Sequence, residues 1–248
     1  MARPSTMRTA AILPVKRFSA AKQRLGAGVE EALRDALVRM MLADVLDALA
    51  ATPAIELTII VSGQPPLPDW SRPGVMVVED RLEEGQSAAA SLGVERALHE
   101  GFERVLCVPG DCPALSPSQL QELLAAPAAD GPEVVIIPDR HGSGTNGLLL
   151  TPPDVIAPSF GPGSFERHRS LVLASRATLR VQRPSSLLLD IDTDVDLQAL
   201  RRLLAGSTGG ARRTRALLAG AHALPASTPT SPPAHPAPAS PPARSGGH

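Results

Sequence analysis

No tyrosine occurs in the 248 residues, and there are only four phenylalanines and one tryptophan. The chain therefore has no obvious aromatic patch of the kind that anchors protein–protein hot spots, although a homodimer stays open. Cysteine is equally scarce. Cys107 and Cys112 flank an expected strand end and form no CxxC pair. That argues against a disulfide framework or a zinc site and points to a reducing cytoplasm. No apolar run reaches the ~18 residues that a membrane span needs. Arg3 and Arg8 lead directly into a strand-like segment rather than into a signal-peptide core. Charge of one sign is missing too, since 24 basic residues face 25 acidic ones. This balance argues against nucleic acid as a partner and leaves any phosphate binding to local groups. The chain also lacks GxxxxGK[ST], HExxH, a defensible Ser-His-Asp set and an obvious nucleophile. That fits phosphoryl transfer in which the substrate supplies the attacking oxygen and the protein supplies position and charge.

Strand-like and helix-like segments alternate. Strands are expected over 9–15, 56–62, 75–78, 104–108, 134–137 and 146–150. A helix over 29–50 follows from Leu33, Leu37, Met40, Met41, Val45 and Leu49, which recur at three- and four-residue spacing. Further helices are expected over 86–99, from a Ser cap at 116 to 124, and over 194–204. Such alternation implies one α/β domain over 1–208, with a mostly parallel sheet covered by helices. Residues 209–224 offer one extra helix. Residues 225–248 contain eight prolines and read as a disordered tail. In parallel sheets ligands sit at the carboxyl ends of the strands, where Lys16 and Asp111 fall.

Several motifs carry chemistry. Between Val134 and His168, two glycine-rich runs surround a short apolar strand: Gly142-Ser143-Gly144-Thr145-Asn146-Gly147 and Phe160-Gly161-Pro162-Gly163-Ser164. Backbone N–H groups bared by glycine, together with Ser and Thr hydroxyls, suit a phosphate or carboxylate. The segment 13–25 carries four cations after the first strand, of which Lys16, Lys22 and Arg24 could hold a triphosphate and neutralise a leaving diphosphate; a solvated basic turn is the plain alternative. Asp111, set between Gly110 and Cys112-Pro113 after a buried strand, is placed to bind Mg²⁺ beside phosphates, although an Asx turn would also use it. In Asp190-Ile191-Asp192-Thr193-Asp194, alternation puts Asp190 and Asp192 on one face, and two such carboxylates call for a cation. Thr193 or Asp194 then caps a helix, and Asp194 and Asp196 suit its first turn. Glu84-Gly85-Gln86-Ser87 opens a helix closely enough for a nucleotide to approach.

These motifs, in order from Ile12 to Leu197, resemble the CofC/FbiD guanylyltransferases of coenzyme F-420 biosynthesis, within the MobA-like nucleotidyltransferase superfamily. The resemblance rests on Pro14-Val15-Lys16 with Ala21-Lys22 and Arg24-Leu25, on Gly110-Asp111-Cys112-Pro113, and on Pro138-Asp139-Arg140 with Gly142 to Asn146. It extends to Phe160 to Phe165 with His168, and to Asp190 to Thr193. A LAGG-type loop after the first strand is absent, which argues against a molybdenum-cofactor enzyme. The chain departs from many relatives at Gln86-Ser87, where they carry Leu-Asn.

The resemblance implies a Rossmann-like, glycosyltransferase-A-type fold. It also implies a cytoplasmic enzyme joining GTP to phosphoenolpyruvate or 2-phospho-L-lactate with release of diphosphate. Asp111 and Asp190 would carry Mg²⁺ (or Mn²⁺), with Asp192 nearby. Lys16, Lys22 and Asp111 would be the catalytic groups. Pro14, Arg24, Gly85 and Ser87 would complete the nucleotide side. Thr145, Gly161 and Ser164 would hold the phosphorylated three-carbon acid. Alternatives are another nucleotide, another phospho-acid such as 3-phosphoglycerate, and a non-catalytic nucleotide-binding regulator.

Overall fold

Seven strands form one sheet: β1 (Thr9–Val15), β2 (Leu57–Ser62), β3 (Val75–Glu79), β4 (Arg104–Cys107), β5 (Glu133–Pro138), β6 (Thr145–Thr151) and β7 (Thr178–Val181). Their order across the sheet is β3-β2-β1-β4-β6-β5-β7. The computed structural model describes residues 7–18, 31–126, 130–206 and 209–223. Lys22, Arg24 and the proline-rich segment 225–248 lie outside the described residues.

β1 pairs in parallel with β2 and β4, β2 with β3, and β5 with β7, whereas β6 runs antiparallel to both β4 and β5. The six strands of common direction read as apolar runs because both sheet faces are covered. Alternate residues of β1 show this. Ala11 and Leu13 enter a core with Leu42, Val45, Leu46 and Leu49 of α1 (Glu31–Ala50) and Leu120 and Leu123 of α3 (Pro117–Ala125). Ala10 and Ile12 enter the opposite core with Ala89, Ala90 and Val94 of α2 (Gln86–His99) and Val172 of α4 (Ser164–Ser175).

Local signals set the helix starts. The Ser116 side chain accepts from the Gln119 N–H and Pro117 opens α3. Thr193 and Asp196 form a capping box at the head of α5 (Asp194–Ala205), as Ser/Thr with an acid three residues on commonly do. The last described helix, α6 (Arg212–Ala223), covers most of the segment read as an extra helix. It packs on α1 and α5 through Ala211 and Leu218 against Leu37, Met41, Leu200 and Leu204. Its first turn is capped from outside: the buried Asp44 carboxylate accepts from the N–H groups of Arg213 (2.9 Å) and Thr214 (2.8 Å).

Two elements differ from the sequence reading. Residues 164–168 were expected in a glycine-rich loop, yet they form the opening turns of α4. Only Ser164, His168 and Val172 of that helix are buried, so it has no apolar stripe to betray it. β7 carried no expectation; it is a four-residue, half-exposed edge strand, too short for a period to show.

Gly93 marks where α2 sits hard against β1. A Cβ there would lie 2.4 Å from Ile12 Cγ2. A Gly93→Val substitution is expected to cost about 3 kcal/mol, near the upper end of overpacking penalties. Urea denaturation of the two proteins measures it, and an unchanged midpoint would refute the tight packing.

Candidate active site

The carboxyl ends of the six co-directed strands share one edge of the sheet. Because β6 runs the other way, its first residues, Thr145 and Asn146, arrive at that same edge. A cleft of about 790 Å³ opens there. The end of β1 contributes Pro14, the segment after it Lys16 and Arg17, and the segment after β4 Gly110 and Asp111. The β5–β6 turn contributes Asp139, Ser143 and Gly144, and the approach to α4 contributes Gly161 and Ser164. Asp190 and Asp192, before α5, and Asp80, Glu83, Gly85 and Gln86, between β3 and α2, close the lining.

Nine of the residues singled out in the sequence therefore meet in one cleft: Pro14, Lys16, Gly85, Asp111, Thr145, Gly161, Ser164, Asp190 and Asp192. Ser87 does not line it. Its Oγ instead accepts the Phe160 N–H at 2.8 Å, tying the head of α2 to the loop before α4. Lys22 and Arg24 fall outside the described residues.

The segments of Asp111 and Asp190 are joined through the backbone, and Asn146 orients Asp190. The Ile191 N–H donates to the Asp111 carbonyl at 3.2 Å. Asn146 Nδ2 donates to the Leu187 carbonyl (2.9 Å) and to Asp190 Oδ1 (3.2 Å). Burial, and then the Asp111 charge, hold the Asp190 carboxyl above its usual range. Two carboxylates that resist joint ionisation, with hard oxygen donors facing a cleft, fit a divalent cation such as Mg²⁺. That ion commonly takes only one or two carboxylates plus substrate oxygens and water.

The three acids expected around a metal, Asp111, Asp190 and Asp192, all line the cleft but do not gather into one cluster. Among the described residues, no group of three or more His, Cys, Asp or Glu could hold a metal ion. The reason is local. Residues 190–193 are not a strand but bend into the α5 cap, where the N–H groups of Asp192 and Thr193 both donate to Asp196 Oδ2. Asp192 is left exposed at the rim. Asp196, expected as a surface acid of the first turn, is buried and ion-paired to Arg140.

Hydroxyl groups form another part of the lining. The Ser164 hydroxyl is buried, lines the cleft, and has no hydrogen-bond partner among the described residues. It opens α4, whose N-cap, Gly163, is left-handed at φ 71° and supplies no side-chain cap. The first N–H groups of the helix are taken up by the chain itself, Ser164 donating to the Gly161 carbonyl (3.0 Å) and Phe165 to the Ser143 carbonyl (3.2 Å), so what the helix start turns toward the cleft is its positive dipole end. Thr145 Oγ1 lies 3.0 Å from His168 Nδ1, and His168 Nε2 accepts the Ser159 N–H at 2.8 Å. Arg167 braces the same loop, donating to the carbonyls of Ser159 (3.1 Å), Phe160 (2.9 Å) and Pro162.

The sequence reading gave no role to Asp80, a buried carboxylate of the cleft, or to the Arg17–Glu83 ion pair at its mouth (2.7 Å). Asp80 stands in no recognisable motif, and the pair joins residues 66 positions apart. Nor did it assign the buried His168.

Burial, with the Arg167 cation beside it, pushes the His168 imidazole down to about 4. An unfolded histidine titrates near 6.5, so its contribution to stability is complete above that pH. It is lost as pH falls toward 4, because only the unfolded chain then takes up the proton. Between pH 7.5 and 4.5 the loss should be about 2–3 kcal/mol. Chemical denaturation of wild type and His168→Gln at both pH values measures the difference; an equal acid sensitivity in both would refute it.

Among the described residues, no helix is long and apolar enough to cross a membrane. The model of guanylyl transferases like CofC matches residues 9–216. A phosphoenolpyruvate guanylyltransferase of Conexibacter woesei is 43% identical over 213 residues, covering 86% of this chain and 96% of that protein. One of Sphaerobacter thermophilus is 36% identical over 196 residues, covering 78% and 93%. Among solved structures, a nucleotidyl transferase from Methanothermobacter thermautotrophicus superposes with a TM-score of 0.58 at 21% identity, covering 82% of this chain and all of that one. A cytidylyltransferase from Leptospira borgpetersenii superposes with a TM-score of 0.55 at 11% identity, covering 88% and 94%. These two likenesses bear out the expected nucleotidyltransferase fold. With the family model matched along β1 to α6 and close relatives spanned almost end to end, the chain belongs to the CofC-like guanylyl transferase family and is a nucleotidyltransferase.

Proposed function

We propose that this enzyme transfers the guanylyl group of GTP to phosphoenolpyruvate and releases diphosphate, a step of coenzyme F-420 biosynthesis. The observation that carries the reading is the division of one cleft into two chemistries. The carboxylates of Asp111 and Asp190 line it together with Lys16, and Thr145 and Ser164 line it with hydroxyls that can donate to an anion. The relatives named as phosphoenolpyruvate guanylyltransferases support the acceptor.

In this reading an oxygen of the acceptor's phosphate attacks the α-phosphorus of GTP in line. A P–O bond to the acceptor forms, and the bond to the β-phosphate oxygen breaks with its electrons leaving on diphosphate. Lys16, and Lys22 with Arg24 farther along the same segment, meet the charge on the leaving group. Pro14 and Gly85 border the nucleotide. Asn146 orients Asp190, and Thr145, Gly161 and Ser164 hold the phospho-acid. Mg²⁺ or Mn²⁺ held by Asp111 and Asp190 would neutralise developing phosphate charge. The buried thiols Cys107 and Cys112 accord with a reducing cytoplasm.

Diphosphate release from GTP and Mg²⁺, with phosphoenolpyruvate, 2-phospho-L-lactate and 3-phosphoglycerate supplied separately, tests the proposal. Release is expected with phosphoenolpyruvate, and preference for another acid would reassign the acceptor. Asp111→Asn and Asp190→Asn should each lower kcat by about 100-fold or more. Near-normal turnover in either variant would remove that residue from the site.

A further inference from the structure

His168 is wholly buried yet touches polar groups on both ring nitrogens. A backbone N–H can only donate, so Nε2, facing the Ser159 N–H, must be an acceptor. A neutral imidazole has one donor and one acceptor. The ring proton therefore sits on Nδ1 and points at Thr145 Oγ1. We propose that His168 is a positioning residue that fills a lone pair of the Thr145 hydroxyl and so aims the hydroxyl proton into the cleft, at an anionic oxygen of the acceptor. This rests on the phospho-acid reading given above.

Three further observations bear on it. Among the described residues, His168 is the only hydrogen-bond partner of the Thr145 side chain. Thr145 itself lines the cleft. A threonine hydroxyl has one proton to give, and with Nδ1–H as its donor that proton is free for a ligand. The imidazole stays neutral at ordinary pH, for the reasons of burial and Arg167 already described, so the donor-acceptor order cannot reverse there. A doubly protonated ring would set Nε2–H against the Ser159 N–H.

The same ring also places the rest of the acceptor wall. By holding Ser159 it anchors the loop that leads to Gly161. From its place on α4 it follows Ser164 by four residues, on the same helix face. Serine and histidine at i and i+4 thus give one buried hydroxyl that faces the cleft and one imidazole that orients a second hydroxyl from β6. The edge of His168 meets the Phe160 ring at 5.3 Å, which fixes the ring plane.

The test separates positioning from mere packing. Glutamine at 168 can keep an acceptor for Ser159 but gives no donor to Thr145; asparagine can place its amide N–H where Nδ1–H stood. His168→Gln should lower kcat/KM for phosphoenolpyruvate by about 10–100-fold, the scale of one hydrogen bond to a charged group. KM for GTP should stay within about twofold. Thr145→Val should show the same loss, the double variant should be no worse than Thr145→Val alone, and His168→Asn should recover most of the activity. Additive losses, or an equal rise in the GTP KM, would overturn the proposal.

Nitrogen-15 NMR of histidine-labelled wild type reads the tautomer without reference to activity, and needs no variant to fold. An Nδ1–H signal for His168 supports the proposal and an Nε2–H signal overturns it. If wild type released no diphosphate with any phospho-acid, the functional reading would fall, while the tautomer would still decide the arrangement of His168 and Thr145.

Discussion

Strand β6 is hydrogen-bonded on both sides to strands that run against it, β4 and β5. A parallel strand in that place would start at the far edge of the sheet, about 20 Å away for a strand of this length. Reversed, it delivers Thr145 and Asn146 to the edge where β1 and β4 end. Everything else in the cleft is arranged around those two residues. Asn146 reaches Asp190 and the carbonyl of Leu187, and Thr145 reaches His168. The turn that makes the reversal possible is tight. Asp139 accepts from the Ser143 N–H, its own N–H donates to the Gly144 carbonyl, and a Cβ on Gly144 would come within 2.7 Å of the Asp139 carboxylate.

The cleft is framed by polar contacts between segments far apart in the chain, rather than by loop sequence alone. Arg140 crosses from the β5–β6 turn to Asp196 under the α5 cap. Arg167 spends its guanidinium on three carbonyls of the loop before α4. Ser87 holds Phe160 from the head of α2. Removing Arg140 would leave the buried Asp196 carboxylate without that partner, which costs more than the contact itself contributes. Within this frame the buried Ser164 hydroxyl lines the cleft and has no hydrogen-bond partner among the described residues.

Charge is concentrated where turnover needs it. The chain has only two lysines, Lys16 and Lys22, and both fall in the segment after β1. The arginines next to the cleft are otherwise engaged: Arg17 with Glu83, Arg140 with Asp196, and Arg167 with its own loop. An ammonium on a flexible stem can follow a leaving diphosphate, whereas a forked guanidinium suits fixed bracing.

Much of this was legible in the chain itself. Apolar runs and three- and four-residue periods located β1 to β6, α1, α2, α3 and α5, because those elements bury whole faces and composition must follow. Glycine-rich motifs and the acids after strand ends marked the cleft, because close approach to phosphate needs small residues and charge at particular strand ends. Other features needed the tertiary structure. α4 is helical without an apolar stripe, so the contacts of Ser164, His168 and Val172 decide it. Asp192 was grouped with Asp190 on the assumption of a strand, but the N–H of Asp192 is drawn into the α5 cap at Asp196 and its side chain is exposed. The role of His168 depends on partners 9 and 23 positions away. A sequence states which groups exist and how local chain stiffness orders them; which of them share a proton or a cation depends on distances that only the packed sheet sets.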